Sequence, residues 1–356
     1  MHAPKLPNLS VSPLSSRSLP LTRRRLLAAC TWPLLCPIAA QAQPRPATVW
    51  RVGPGQAITR IADALAQAAD GDRIEVLPGT YRADVAVIHQ RRLTITGIGT
   101  GIGRGTGERP LLQAAGQHAE GKAIWVVRDG DIQIDNIAFD GTRVPDGNGA
   151  AIRFERGKLS LSRCAFRNHE IGLLTGNHPD AMLDIDHCDF SAAPVNTADL
   201  SHLLYVGRIA RVRISNSRFW QGLEGHLVKS RARETILTGN LLDDGPQGQA
   251  SYEIDLPNGG QAQVEGNTIV QSARSRNPTM LAYGEEGQHW HDNRLTVRNN
   301  TFINRLPAGG LFVRVSADRL PPNTPVRSQG NRYLGPGSLV LGPQGESVDD
   351  ERGPLR

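Results

Sequence analysis

Three polar residues at matching positions of consecutive strand-like segments could form a catalytic site. Tyr205, Lys229 and Asp255 lie in segments in which apolar residues alternate with others, so one set of side chains should face a core and the other solvent. They precede the next copy of a repeated six-residue phrase by 9, 8 and 9 residues, which predicts one exposed row. A phenol, an amine and a carboxylate on rigid strands can bind a sugar and move protons.

Further polar residues surround this row and leave the chemistry open. They are His202, Glu224, His226, Arg231, Glu253 and Asn258. Glu253 and Asp255 are two residues apart on a strand, which predicts that both point outward about 6.5 to 7 Å apart, a separation that suits a glycoside hydrolase. Lys229 and Asp255 could equally be a surface ion pair that adds little stability.

Four of the candidate residues also have purely structural interpretations. His202 and His226 begin corresponding strands and could serve as turn or stacking residues, and the sequence Asn-Gly-Gly from Asn258 is typical of a turn. Trp290 lies in the longest coil, where it could stack on a sugar or shield the core.

The six-residue phrase itself predicts the fold. Its eight copies span 134–139, 161–166, 185–190, 214–219, 237–242, 264–269, 297–302 and 328–333. Their spacing of 23 to 33 residues corresponds to one coil of a solenoid with loops of varying length. A thin core along one axis also suits a hydrophobic content of 39%. We therefore expect an all-β fold, a right-handed, single-stranded parallel β-helix, rather than a two-sheet sandwich.

The fourth position of the phrase predicts how the coils stack. Late copies carry asparagine there, at Asn240, Asn267, Asn300 and Asn331. With coils roughly 4.8 Å apart, these amides should form a hydrogen-bonded ladder. Cys164 and Cys188 occupy the same position in earlier copies, either as stacked core thiols or as a disulfide.

Three boundaries complete the predicted organisation. Residues 1–42 contain a twin-arginine motif, an apolar stretch and a small-x-small cleavage site, which together predict a Tat-type signal peptide. The β-helix follows at 43–345, and apolar residues at helical spacing between Ile58 and Ala69 predict a helix that caps its first coil. The polar segment 346–356 is expected to be a disordered tail.

The leader changes what the charge implies. It holds five of the 40 basic residues and no acid, so the mature chain has 35 basic and 34 acidic residues. A net charge of +1 does not predict a nucleic-acid partner. We expect a periplasmic or secreted monomer that is free of the membrane after processing and acts on an acidic polysaccharide.

The segment from Glu224 to Ser230 resembles a phrase of a family of β-helical lyases. It reads E-G-H-L-V-K-S, similar to the E-x-x-x-V-K-S phrase of the family that includes chondroitinase B and alginate lyases, and the capping helix is typical of pectate-lyase-like β-helices. The resemblance implies that Lys229 is the base that takes the proton next to a uronate carboxylate and that Glu224 helps to hold calcium. The arginine that the family carries one coil later has no counterpart here, and neither does the second calcium-binding acid.

These observations favour a polysaccharide lyase. Arg231, or calcium held by Glu224, would neutralise the substrate carboxylate, and Tyr205 or His226 would donate a proton to the leaving oxygen. The substrate would also contact His202, Asn258 and Trp290. A glycoside hydrolase that uses Glu253 and Asp255 is the second interpretation, and a non-catalytic glycan-binding or surface β-helix is the third.

Overall fold

The computed structural model describes residues 45–99, 109–194, 201–287 and 289–355. The chain divides into the units Met1–Arg45 and Pro46–Arg356. The predicted signal peptide at 1–42 lies outside the described residues, so the fold concerns the second unit.

Parallel strands in three sheets make up almost all of the regular secondary structure in the described part of this unit. The 12-stranded sheet contains, in order, Val49–Val52, Arg73–Val76, Arg92–Gly97, Asp131–Asp135, Lys158–Ser162, Met182–Asp186, Arg211–Ser215, Glu234–Thr238, Gln261–Glu265, Arg294–Arg298, Val326–Gln329 and Gly345–Val348. The 11-stranded sheet contains Thr80–Arg82, Leu111–Gln113, Ala138–Asp140, Ala165–Arg167, Asp189–Ser191, Arg218–Trp220, Leu241–Asp243, Thr268–Gln271, Thr301–Asn304, Arg332–Leu334 and Glu351–Gly353. The 10-stranded sheet contains Ala86–Ile88, Ala123–Val127, Ala150–Phe154, Ile171–Thr175, Leu204–Val206, Val228–Ser230, Ile254–Leu256, Thr279–Tyr283, Leu311–Val315 and Ser338–Val340.

Successive coils contribute successive strands to each sheet, which confirms the predicted parallel β-helix. In Arg211–Ser215, for example, Val212 and Ile214 are buried while Arg213 is exposed. The last position of the repeated phrase forms a column of stacked rings. The ring centroids of Phe139, Phe166, Phe190 and Phe219 are 5.3, 4.4 and 4.9 Å apart, close to the distance between neighbouring strands. The core therefore runs as a narrow stack through the coils.

The asparagine ladder forms as predicted. The backbone N–H groups of Asn240, Asn267 and Asn300 each donate to the side-chain oxygen of the asparagine one coil later, at 2.9 Å. Their side-chain amides donate to the same oxygens at 2.9 to 3.0 Å. Buried polar groups at the turns are thus satisfied by one another.

The ladder also explains why the prediction of a disordered tail at 346–356 is wrong. Asp350 occupies the next rung, because its Oδ1 accepts bonds from the backbone N–H of Asn331 at 2.8 Å and from its side chain at 3.0 Å. The flanking segments Gly345–Val348 and Glu351–Gly353 add a final strand to two of the sheets. The polar composition of 346–356 led to the wrong prediction, because Asp350 takes the ladder position that asparagine occupies in the preceding coils.

A short helix, Ile61–Gln67, lies where the sequence predicts the cap. Its buried residues include Ile61 and Leu65, and it contacts Val49–Val52, Arg73–Val76 and Ala86–Ile88 at the start of the solenoid. Asp84 accepts hydrogen bonds from the first backbone N–H groups of the helix, at 2.6 and 2.9 Å.

Two further features concern the described residues alone. Cys164 and Cys188 are buried free thiols, which decides between the two structures that the sequence left open. No helix in the described part of the chain has the length and apolar character needed to span a membrane.

Candidate functional site

The predicted row forms on the outer face of the 10-stranded sheet. Tyr205 pairs in register with Lys229, and Lys229 with Asp255, on three neighbouring strands. The residues on either side of Lys229 are buried, and Val228 belongs to the core. The registration of phenol, amine and carboxylate is therefore confirmed, and their side chains can touch.

Asp255 is the centre of the row. Its Oδ2 lies 3.0 Å from the Lys229 Nζ and 3.1 Å from the His226 Nε2. Burial alone would raise the pKa of Asp255, but the hydrogen bonds from His226 and Lys229 and the charge of Lys229 outweigh burial and hold the pKa below its ordinary value. Asp255 is thus a carboxylate at neutral pH that fixes both neighbours.

Arg231 joins the row from the residue after the Lys229 strand. Its Nε donates to the Tyr205 hydroxyl at 2.9 Å, and its Nη1 donates to the Asn258 Oδ1 at 2.7 Å and lies 2.6 Å from Glu286 Oε2. Burial would lower the pKa of Arg231, but its bonds to Glu286 and Tyr205 outweigh burial and raise it. A fixed guanidinium next to the phenol oxygen would stabilise negative charge there.

Glu286 is the site residue that the sequence analysis missed. It lies on the loop after Thr279–Tyr283, and its Oε1 is 3.1 Å from the Lys229 Nζ. Burial would raise the pKa of Glu286, but Arg231 and Lys229 outweigh burial and lower it. The loop belongs to the longest coil, and that length was the one signal that could have drawn attention to it. The predicted exposure of the row is wrong for Lys229 and Asp255, which are both buried. Glu286 lies against Lys229 from the loop.

The two histidines lie next to each other beside the row in their neutral forms, with their rings tilted by 51°. Their ring centroids are 4.6 Å apart, and the His202 Nδ1 accepts the backbone N–H of His226 at 2.9 Å. Burial lowers the pKa of His226 although Asp255 opposes it, and burial together with nearby positive charge lowers the pKa of His202 strongly. Since the Asp255 carboxylate accepts from His226 Nε2, the proton of a neutral His226 lies on that atom and the Nδ1 is bare. His226 is the better placed of the two to orient Asp255.

The predicted pair of outward carboxyls is wrong, because Glu253 and Asp255 are both buried. The strand begins only at Ile254, and Glu253 precedes it at a corner where the alternation of side chains does not continue. Glu253 is fully buried, and both of its carboxyl oxygens lack a hydrogen-bond partner. Burial and the charge of Asp244 raise its pKa well above the ordinary value. Glu253 is therefore an interior acid, in its neutral form at neutral pH.

Asn258 and Trp290 join the loop to the row. The Asn258 Nδ2 donates to the Gly287 carbonyl at 2.6 Å, and the Trp290 Nε1 donates to the Arg231 carbonyl at 3.1 Å. One face of the Trp290 ring is covered by the Arg208 guanidinium, 4.2 Å from the ring centroid. In this arrangement Trp290 supports the backbone of Arg231 and does not present that ring face to a sugar.

The surroundings of Glu224 do not fit a calcium site. Calcium requires six or more oxygen ligands, usually with several carboxylates among them. Within 45–99, 109–194, 201–287 and 289–355, no group of three or more His, Cys, Asp or Glu side chains could hold a metal ion. No chemistry is therefore assigned to a metal held by Glu224.

Comparisons with known proteins find distant structural likenesses. No protein-family model and no curated protein matches the chain. The chain is similar to the A-module of the Azotobacter vinelandii mannuronan C-5 epimerase AlgE6, with 12% identity and a TM-score of 0.42 over 83% of this chain and 94% of that module. It is also similar to gp49, a tailspike protein and capsular polysaccharide depolymerase of the Acinetobacter baumannii bacteriophage Fri1, with 9% identity and a TM-score of 0.35 over 85% of this chain and 55% of the other.

Proposed function

We propose that this protein is an exported, monomeric β-helix that cleaves an acidic, uronate-containing polysaccharide by β-elimination. The observation that carries the proposal is the placement of two cations around Tyr205 on one face of a rigid sheet: the Arg231 Nε is 2.9 Å from its hydroxyl, and the Lys229 Nζ is 5.9 Å from the centroid of its ring. Proton removal next to a carboxylate needs such neutralisation of the developing charge. The twin-arginine leader sequence supports export to the periplasm or beyond.

The contacts favour a different division of roles from the one that the lyase resemblance implies. An amine that acts as a base must present a lone pair, whereas the Lys229 Nζ faces two carboxylates, Asp255 and Glu286. Lys229 and Arg231 are better placed to bind the uronate carboxylate. Tyr205, half-buried and bonded to Arg231, is the group placed to move the proton.

The reaction then proceeds through one phenol. In the phenolate form of Tyr205, the oxygen would take the proton from the carbon next to the uronate carboxylate, and the electron pair of that C–H bond would form a carbon–carbon double bond. The bond from the neighbouring carbon to the glycosidic oxygen breaks, and that oxygen takes the proton from Tyr205. The products are a new chain end and an unsaturated uronate, with no oxidant or reductant required.

The test is an ultraviolet assay on a panel of polyuronates. The purified chain should generate the absorbance of an unsaturated uronate, and Tyr205→Phe should reduce that rate by about a hundredfold or more. Arg153→Ala is a matched control, because Arg153 lies on the same outer row, two strands before Tyr205. Full activity of Tyr205→Phe would refute the role of the phenol.

The alternatives differ in their products. A glycoside hydrolase needs one protonated carboxyl, yet the pKa values of both carboxyls beside Lys229, those of Asp255 and Glu286, are lowered. Reducing ends without the new absorbance would nevertheless establish hydrolysis. Retention of an acidic glycan with no product from any polyuronate would establish a binding protein.

A further inference from the structure

The two cations of the row converge on one carboxylate that comes from a loop. Glu286 places Oε1 at 3.1 Å from the Lys229 Nζ and Oε2 at 2.6 Å from the Arg231 Nη1, so each oxygen receives one cation. The Glu286 side chain is 47% exposed, against 11% for Lys229 and 19% for Arg231. The acid is therefore the partner that solvent and ligands reach first.

Asp255 behaves differently, although it contacts the same lysine. Its side chain is only 4% exposed, and it also holds His226. If Glu286 moved away, Lys229 would keep Asp255, and Arg231 would keep Tyr205 and Asn258. The two cations would then face a single carboxylate, with one positive charge in excess. A site of that charge attracts an anion.

The backbone around Glu286 can stay in place while its side chain leaves. The Glu286 N–H donates to the Pro257 carbonyl at 2.9 Å, and the Asn258 side chain donates to the carbonyl of Gly287. These bonds hold both sides of the residue without involving its carboxylate. Rotation of the side chain would break two ion pairs whose carboxylate is partly exposed, and pairs of this kind add little stability.

We propose that Glu286 occupies the subsite for the substrate carboxylate, as a tethered competitor that an acidic sugar displaces. The inference rests on the proposed function for the identity of the ligand, a uronate. It adds that the free protein holds this subsite closed with its own side chain. Binding of a carboxylate sugar is then an exchange of one carboxylate for another between the same two cations.

The experiment measures binding without turnover. Glu286→Ala should bind oligogalacturonate about tenfold more tightly than the wild type in calorimetric titrations at low ionic strength, because the competing carboxylate is gone. The fully methyl-esterified oligomer, which lacks the charge, should show no such gain. Adding Arg231→Ala to Glu286→Ala should abolish the gain. Glu265→Ala is the control, since Glu265 lies 2.6 Å from the Arg298 guanidinium on the 12-stranded sheet and its loss frees one remote arginine.

The outcomes separate this inference from the proposed function. Equal affinity of wild type and Glu286→Ala for oligogalacturonate would overturn the tethered competitor. A gain in affinity with no elimination product from any polyuronate would support it while refuting the lyase. If the chain is a lyase, Glu286→Ala should lower KM for the polyuronate; a raised KM together with a large loss of kcat would overturn the inference and make Glu286 a catalytic residue.

Discussion

The interior acid Asp244 should make the stability of the protein fall as pH rises. Its carboxyl is buried, and burial raises its pKa to about 7 although the backbone N–H of Ala250 donates to it. The folded-state pKa therefore lies above the unfolded value, so the folded state binds the proton more tightly. The contribution of the proton is complete below about pH 4 and is lost as pH rises through 7.

The size of the effect follows from the shift. The pKa of Asp244 rises from an ordinary value of 3.8 to about 7, and a difference of one in pKa corresponds to 1.36 kcal/mol, so the effect is about 4 kcal/mol between pH 4 and pH 8. Asn cannot ionise, so Asp244→Asn should not show this loss. Between pH 4 and pH 8, the free energy of unfolding of the variant should therefore rise relative to that of the wild type by the same amount. Chemical denaturation at a series of pH values measures this difference directly.

Two controls make the result specific. Asp318→Asn changes an exposed aspartate and should leave the pH dependence of unfolding as it is in the wild type. Because the charge of Asp244 also raises the pKa of Glu253, the comparison should be repeated in a Glu253→Gln background. A difference between Asp244→Asn and its parent that stays constant within about 1 kcal/mol from pH 4 to pH 8 would refute a neutral buried Asp244.

Two further substitutions test the ladder and the row. Asn267→Ala should lower the free energy of unfolding by about 2 to 4 kcal/mol, because the backbone and side-chain amides of Asn240 would lose their buried acceptor; a loss below about 0.5 kcal/mol in a denaturant titration would contradict this. Asp255→Asn should cost about 3 kcal/mol at pH 7, since Lys229 would lose its buried carboxylate partner. The folded pKa of Asp255 is lowered, so its contribution is present above about pH 4 and is lost as pH falls; an equal deficit at pH 2 and pH 7 would exclude an ionised Asp255.

The repeat allowed the row to be predicted because two periods are fixed by covalent and hydrogen-bond geometry. Side chains alternate every residue along a strand, and coils stack at one strand spacing. Once the six-residue phrases are aligned, the register of Tyr205, Lys229 and Asp255 follows, and the structure pairs them as expected. The asparagine ladder was predictable for the same reason, since it occupies one position of the same phrase.

Glu253 shows where this reasoning stops. Alternation holds only within a strand, and the strand here has three residues, Ile254–Leu256. Glu253, one residue before the strand, is fully buried although its parity predicts exposure. In a short strand, the alternation of side chains therefore predicts exposure only for the residues within the strand. Glu253, two positions from Asp255, lies outside it and has a different environment.

Glu286 could not be placed by any period, because loop residues are positioned by individual contacts. The bonds from Glu286 to Pro257 and from Asn258 to Gly287 fix the loop against the turn of the preceding coil. Nothing in the spacing of the repeat encodes these bonds, yet they bring the exposed carboxylate to both cations. The sheet thus determines which charged side chains lie in the row, and the loop determines whether a ligand can reach them. For a solenoid of this kind, the repeat predicts which side chains lie in the row. Access of a ligand to these side chains depends on the loop of the longest coil.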